Sequence, residues 1–277
     1  MSAQILDGKA LAQKIKLEIA TQVKALGRQP GLGTILVGDD PGSVSYVAGK
    51  HRDCAEVGIA SIRIDLPANS SEAEILQAVA QLNKEANCTG FIVQLPLPKG
   101  VDAHKVLTSV DPAKDADGLH PTNLGNLVLD KPSITPCTPK AILALLSEYK
   151  IDLAGKSVLI IGRGTTVGRP LSILLSQKAT NATVTLAHTA TKNLTALMKS
   201  ADVIIAAIGK PHFIKPEMIK NGAVVVDVGI TRTDSGLLGD VDPKVAEVAS
   251  YVAPMPGGVG PMTRAMLLTN LIELASK

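Results

Sequence analysis

Short apolar runs of strand length alternate with longer segments of helical spacing along most of this chain, and that alternation limits the fold more than any other feature. In the first half, "GKALAQKIKLEIATQVKA" (8–25) repeats apolar residues at helical spacing, and "GTILVG" (33–38) is a short apolar run bounded by glycines. A helical pattern over 43–57, the strand-like "IASIRIDL", the helical "SEAEILQAVAQLN" and the strand-like "GFIVQLPLP" follow. Ser71 and Glu74 have the capping-box spacing that opens a helix. Alternation of this kind predicts a parallel sheet covered by helices, with ligands at the carboxyl ends of its strands.

Residues 111–138 break the rhythm with "DPAKDADGLHPTNLG" and "KPSITPCTP", a long irregular segment that reads as functional or as a linker. From 139 a helix leads to "KSVLIIGRGTTVGRPLSILLSQ", and "ATVTLAH", "ADVIIAAIG" and "AVVVDVGI" read as three further buried strands. A helix is expected at 243–249, and "RAMLLTNLIELAS" reads as a last helix. The expected fold is therefore α/β in two domains, an amino-terminal αβ substrate domain and a Rossmann-like nucleotide domain, with the active-site cleft between them. The boundaries fall at 1–138, completed by a carboxyl-terminal helix over 263–277, and at 139–262.

Composition narrows the function. Twenty-eight basic and 25 acidic residues leave a formal charge of +3, spread without a dense cationic run, so nucleic acid is a poor partner. The amino-terminal residues lack signal-peptide character and no apolar stretch is long enough to span a bilayer, so a cytoplasmic protein with no membrane partner is expected. Cys54, Cys88 and Cys137 are far apart and the five histidines form no ligand pair, which argues for reduced thiols and no metal.

In "VLIIGRGTTVGRP", Gly162, Gly164 and Gly168 stand between a strand and a helix, where glycine permits a tight turn and close approach of a pyrophosphate. The GxGxxxG spacing is looser than the usual fingerprint, and a plain strand-to-helix turn would also fit it. The next strand ends "TLAHTAT" without the acid that would accept bonds from a ribose. Arg163 and Thr189 suit a 2′-phosphate instead, which favours NADP; a merely solvated Arg163 is the alternative.

Tyr46 and Lys50 in "SVSYVAGK" share one helical face. Taken alone, YxxxK is a common accident on a solvated helix. Gln94 in "VQLPLP" stands at a strand end, Asp115 and Asp117 lie in "DADG", and "PMPGGVGPMT" forms a loop rich in backbone amides. Each of these could be a cap, a turn or a connection; together and in this order they are more specific.

Over essentially its full length the sequence resembles the bifunctional methylenetetrahydrofolate dehydrogenase/methenyltetrahydrofolate cyclohydrolase (FolD) family, through "SVSYVAGK", "VQLPLP", "KDADGLHPTNLG", "PCTPKAI", "IIGRGTTVGRP" and "PGGVGPMT". Ala116 and Met255 depart mildly from that family's pattern, whereas Gly164 removes a hydroxyl that could meet a cofactor phosphate. The resemblance implies NADP-dependent oxidation of 5,10-methylenetetrahydrofolate, then hydrolysis to 10-formyltetrahydrofolate, in a metal-free homodimer serving one-carbon metabolism and purine biosynthesis. It implies Lys50 as the catalytic amine, Gln94 as its orienting group and Tyr46 stacked near the folate. Asp117 would bind the pterin, with Ser43, Gly257, Gly258 and Pro261 as further substrate contacts. Gly162, Arg163, Gly164, Thr189 and Ile230 would line the NADP site. A shikimate-dehydrogenase-like oxidoreductase and a catalytically silent binding module are the competing readings.

Overall fold

The computed structural model describes residues 2–233 and 236–277. It divides the chain into two units, Met1–Ala12 with Thr138–Thr263, and Gln13–Cys137 with Arg264–Lys277. The first strand, β1 (Gln4–Ile5), falls in the former unit.

The unit that begins at Gln13 holds most of α1 (Gly8–Ala25), then β2 (Gly31–Val37), α2 (Pro41–Val57), β3 (Ala60–Leu66), α3 (Glu72–Lys84), β4 (Gly90–Val93), α4 (Ala103–Thr108) and α5 (Pro121–Val128). Its three-stranded parallel sheet has the order β3-β2-β4. Every residue of central β2 is buried, whereas β3, at the edge, alternates between half-buried and exposed positions. That difference follows from the number of faces and neighbours each strand has. Ile35, Val37, Ile75, Val79, Leu82, Phe91 and Val93 form the core between sheet and helices.

Local chemistry sets the helix ends. The Asp40 side chain accepts from the Ser43 amide at 2.8 Å and Pro41 occupies the first turn of α2, while left-handed Gly58 closes it. The capping box of Ser71 and Glu74 is formed at α3. The segment expected to be irregular contains α5, because His120 caps it through the Thr122 amide and Pro121 is preset for a first helical turn.

The other unit contains most of α6 (Cys137–Glu148), β5 (Ser157–Ile161), α7 (Gly168–Ser176), β6 (Thr183–Ala187), α8 (Leu194–Ser200), β7 (Val203–Ala206), β8 (Val224–Asp227), the hairpin of β9 (Thr231–Thr233) and β10 (Gly236–Leu238), and β11 (Tyr251–Ala253). Its six-stranded sheet runs β1-β11-β8-β7-β5-β6, with every pairing parallel. Chain order therefore reverses between β5 and β7, the place where open α/β sheets bind ligands. Residues 1–12, which the sequence placed with the substrate domain, fall here because β1 extends the sheet through β11, in the register Gln4↔Tyr251 and Ile5↔Val252. A two-residue strand carries too little pattern to be read in advance. The helix expected at 243–249 is a short 3-10 helix, Pro243–Glu247. The last helix, α9 (Val259–Ala275), starts five residues earlier than the apolar stretch suggested, and from Arg264 onward it belongs to the Gln13 unit.

Candidate active site

On α2, Tyr46 and Lys50 lie one turn apart, and the Lys50 amine sits 4.6 Å from the centre of the Tyr46 ring. Lys50 is only 6% exposed. Its amine donates to the Gln94 side-chain oxygen at 3.1 Å, and the Gln94 amide nitrogen donates to the Leu95 carbonyl at 2.7 Å. Gln94 is the first residue beyond β4, so the sheet edge delivers it to the lysine.

Burial pulls the Lys50 ammonium below the ordinary lysine value, with Arg264 acting in the same direction and Asp117 opposing both. Burial likewise raises the Asp117 carboxyl, against the attraction of Lys50 and a hydrogen bond from Cys137. The Tyr46 phenol is pushed up by burial and by the Asp117 charge, so it stays protonated at neutral pH. Burial that disfavours the charged form makes this amine better able to accept a proton than an exposed lysine.

The two aspartates of "DADG" do different work. Asp115 is buried and accepts from the Gly118 amide at 3.0 Å, the His120 amide at 2.7 Å and the Asn123 side chain at 2.9 Å. It staples its own loop, leaving Asp117 as the carboxylate in electrostatic reach of Lys50 and Tyr46. Ser43 is buried one turn before Tyr46.

Sequence reasoning missed three supports of this cluster. Asn270 of α9 donates to the Ala116 carbonyl at 3.0 Å and the Thr135 carbonyl at 2.9 Å, tying "DADG" to the irregular segment before α6. The Cys137 thiol, read as an ordinary reduced thiol, donates to the Ala116 carbonyl at 3.4 Å and hydrogen-bonds Asp117. The third is an ion pair: Arg264 Nε lies 2.8 Å from Asp53, whose other oxygen is 3.2 Å from Lys16. A Cβ on Gly49 would lie 2.5 Å from the Arg264 guanidinium, so the arginine rests against the residue preceding Lys50. The only advance signal for these was "PCTP"; the others join residues too distant in sequence to be linked by spacing.

The remaining candidates lie in the unit of the six-stranded sheet. Gly162 follows β5 with φ +119°, and a Cβ there would meet the Ala207 carbonyl oxygen at 2.1 Å. A Cβ on Gly168 would meet the Gly162 carbonyl oxygen at 1.9 Å. Gly164, by contrast, faces open space. The N-cap of α7, Val167, makes no side-chain cap bond, and a phosphate is a suitable partner for such an end. Arg163 and Thr189 are exposed beside this turn and after β6, and Ile230, beyond β8, is 55% exposed. This glycine cradle with an uncapped helix start fits a dinucleotide. Gly257, Gly258 and Pro261 also belong to this unit, where the Gly257 carbonyl accepts from the Lys9 amide at 3.0 Å.

A family model for the tetrahydrofolate dehydrogenase/cyclohydrolase catalytic domain matches residues 6–117, and one for the NAD(P)-binding domain of the same enzymes matches residues 136–277. The chain belongs to the tetrahydrofolate dehydrogenase/cyclohydrolase family. It is 43% identical to the bifunctional FolD methylenetetrahydrofolate dehydrogenase/cyclohydrolase of Campylobacter jejuni, with a TM-score of 0.96 over 99% of both chains. With the Trypanosoma brucei methylenetetrahydrofolate dehydrogenase-cyclohydrolase, solved with NADP cofactor and inhibitor, it shares 37% identity and a TM-score of 0.95 over 100% of this chain and 98% of that one. Shikimate dehydrogenase of Aquifex aeolicus shares the fold alone, at 12% identity and a TM-score of 0.56 over 90% of this chain and 96% of that one. A bifunctional dehydrogenase/cyclohydrolase with an NAD(P)-binding domain is thus the function of this family member, in place of the shikimate-dehydrogenase-like reading.

Among the described residues no group of three or more potential ligands could hold a metal, and no helix is long and apolar enough to cross a membrane.

Proposed function

We propose that this enzyme oxidises 5,10-methylenetetrahydrofolate with NADP and hydrolyses the methenyl product to 10-formyltetrahydrofolate, using Lys50 as the proton carrier of the second step. The observation that supports it is the buried Lys50 amine, hydrogen-bonded to Gln94 and lowered in proton affinity by burial. Bound NADP supplies the hydride acceptor. The one-carbon bridge loses hydride with help from its flanking nitrogens, so the chain's main task in that step is alignment. Tyr46 offers a ring face for stacking, and Asp117 offers a carboxylate to the amino and ring N–H groups of a pterin.

Hydrolysis asks more of the protein. A water that attacks the methenyl cation must lose a proton, and the ring nitrogen that leaves must gain one. Neutral Lys50 can take the first and return the second, and its bond to Gln94 fixes where it does so. The neighbouring substrate cation further disfavours a charged lysine.

On the nucleotide side, Gly162, Arg163, Gly164, Thr189 and Ile230 are assigned to NADP, with Arg163 and Thr189 on its 2′-phosphate. Ser43, Gly257, Gly258 and Pro261 are assigned to the substrate on the resemblance alone. A homodimer, a cytoplasmic location and a supply role in purine biosynthesis complete the proposal. Absorbance at 340 nm on mixing the enzyme with methylenetetrahydrofolate and either NADP or NAD is the direct test; no change with either overturns the reading.

A further inference from the structure

Two buried carboxylates beyond the sheet of the nucleotide unit play no part in the scheme above. Asp227 ends β8 and Asp240 follows the β9–β10 hairpin; both are buried. Asp227 accepts from the backbone amides of Asp240 at 2.9 Å and Val241 at 3.0 Å. Asp240 in turn accepts from three consecutive amides, Ile208 at 2.7 Å, Gly209 at 3.1 Å and Lys210 at 2.6 Å. These three amides form the loop that leaves β7 at the point where strand order reverses.

Two glycines make room for the pair. A Cβ on Gly229 would lie 2.0 Å from the Asp240 carboxyl carbon, and one on Gly239 would lie 1.9 Å from an Asp227 oxygen. Gly229 immediately precedes Ile230, and Ala207, just before the three amides, is the residue whose carbonyl abuts Gly162. One side chain therefore touches the loops after β7 and β8 together, each of which adjoins a residue assigned to the cofactor.

We infer that Asp240 is a positioning residue for the dinucleotide site, fixing the 208–210 amides and the Gly229–Ile230 segment so that the cradle at Gly162 is already formed when the cofactor arrives. Asp227 serves it by holding its backbone. This inference rests on the NADP reading, and it differs from a contribution to stability alone because only cofactor binding depends on where those loops stand. A site held in advance loses less ordering free energy on binding.

Asp240→Asn keeps the shape but turns an amide nitrogen toward at least one backbone N–H, leaving that donor without an acceptor. The expected result is an NADP dissociation constant, measured by titration calorimetry, weaker by roughly ten- to a hundred-fold. The dehydrogenase KM for NADP should rise with it, while hydrolysis of purified methenyltetrahydrofolate, which needs no redox cofactor, stays within about twofold of the parent. NADP affinity equal to the parent's, or parallel loss of hydrolysis and cofactor binding, overturns the inference. Failure of the parent itself to bind NADP would instead overturn the cofactor reading. Hydrogen exchange on the unsubstituted chain keeps the matter decidable if the variant does not fold: the amides of Ile208, Gly209 and Lys210 should be protected without cofactor to the level of β7, and exchange at the rate of an open loop overturns the inference.

Discussion

The Lys50 amine and the Gln94 side-chain oxygen lie 3.1 Å apart, and the Gln94 amide is turned by its own bond to Leu95 so that oxygen meets the lysine. The amine is thereby held without a full charge partner in contact, which suits a group that must exchange protons. Replacing it tests its role most directly. In Lys50→Gln the hydrolysis of methenyltetrahydrofolate should fall by about a hundred- to ten-thousand-fold, the usual worth of general acid/base help. Hydride transfer should fall less, so methenyl product accumulates when the reaction starts from methylenetetrahydrofolate. Parent-rate hydrolysis by a folded variant would remove Lys50 from the chemistry.

The pairing of Arg264 with Asp53 bears on the same proton. Arg264 rests against Gly49 and its charge helps depress the Lys50 pKa, second to burial. Hydrolysis that needs neutral Lys50 must rise with pH through that pKa. Arg264→Met removes the cation, so the rising limb should move to higher pH. A pH–rate profile on purified methenyltetrahydrofolate reads this shift, and an unmoved limb would mean that the arginine serves packing only.

Asp117→Ala should weaken substrate binding in both activities together, because one carboxylate recognises the pterin in each. NADP affinity should stay near that of the parent. Unchanged folate affinity would leave Asp117 as a loop residue like Asp115, whose bonds to Gly118, His120 and Asn123 are structural.

Arg163→Ala removes a charge-assisted contact worth about 1.5–3 kcal/mol. The ratio of kcat/KM for NADP over NAD should therefore drop by roughly one to two orders of magnitude. Equal use of both cofactors by the parent would contradict the assignment of Arg163 and Thr189.

Asp227 carries a pH signature in stability. Burial lifts its carboxyl from 3.8 to about 6 in the folded protein. The folded state thus binds this proton more tightly than the unfolded chain, so the contribution is fully present below the unfolded value and is lost as pH rises from about 4 to about 6. Two pKa units correspond to about 3 kcal/mol at most. Relative to Asp227→Asn, the parent should lose unfolding free energy in urea across that window. Matching slopes in the two proteins would refute it.

Legible in the amino-acid order were the alternation that builds both parallel sheets, the Ser71 capping box, the helix carrying Tyr46 and Lys50, and the glycine turn after β5, since each is encoded within a few neighbouring residues. Spacing put Tyr46 and Lys50 on one face but could not say whether that face was solvated. Packing of the separate elements buries Lys50, half-buries Tyr46 and brings Gln94 from the end of β4 to the amine. Tertiary structure also decided which aspartate of "DADG" was free of its loop, which unit received β1, and that Asn270 and Arg264 of α9 support a site more than 100 residues earlier in the chain. Such contacts depend on how separate elements pack, and a carboxylate's or amine's proton affinity depends on the water that packing excludes, which no local pattern of residues records.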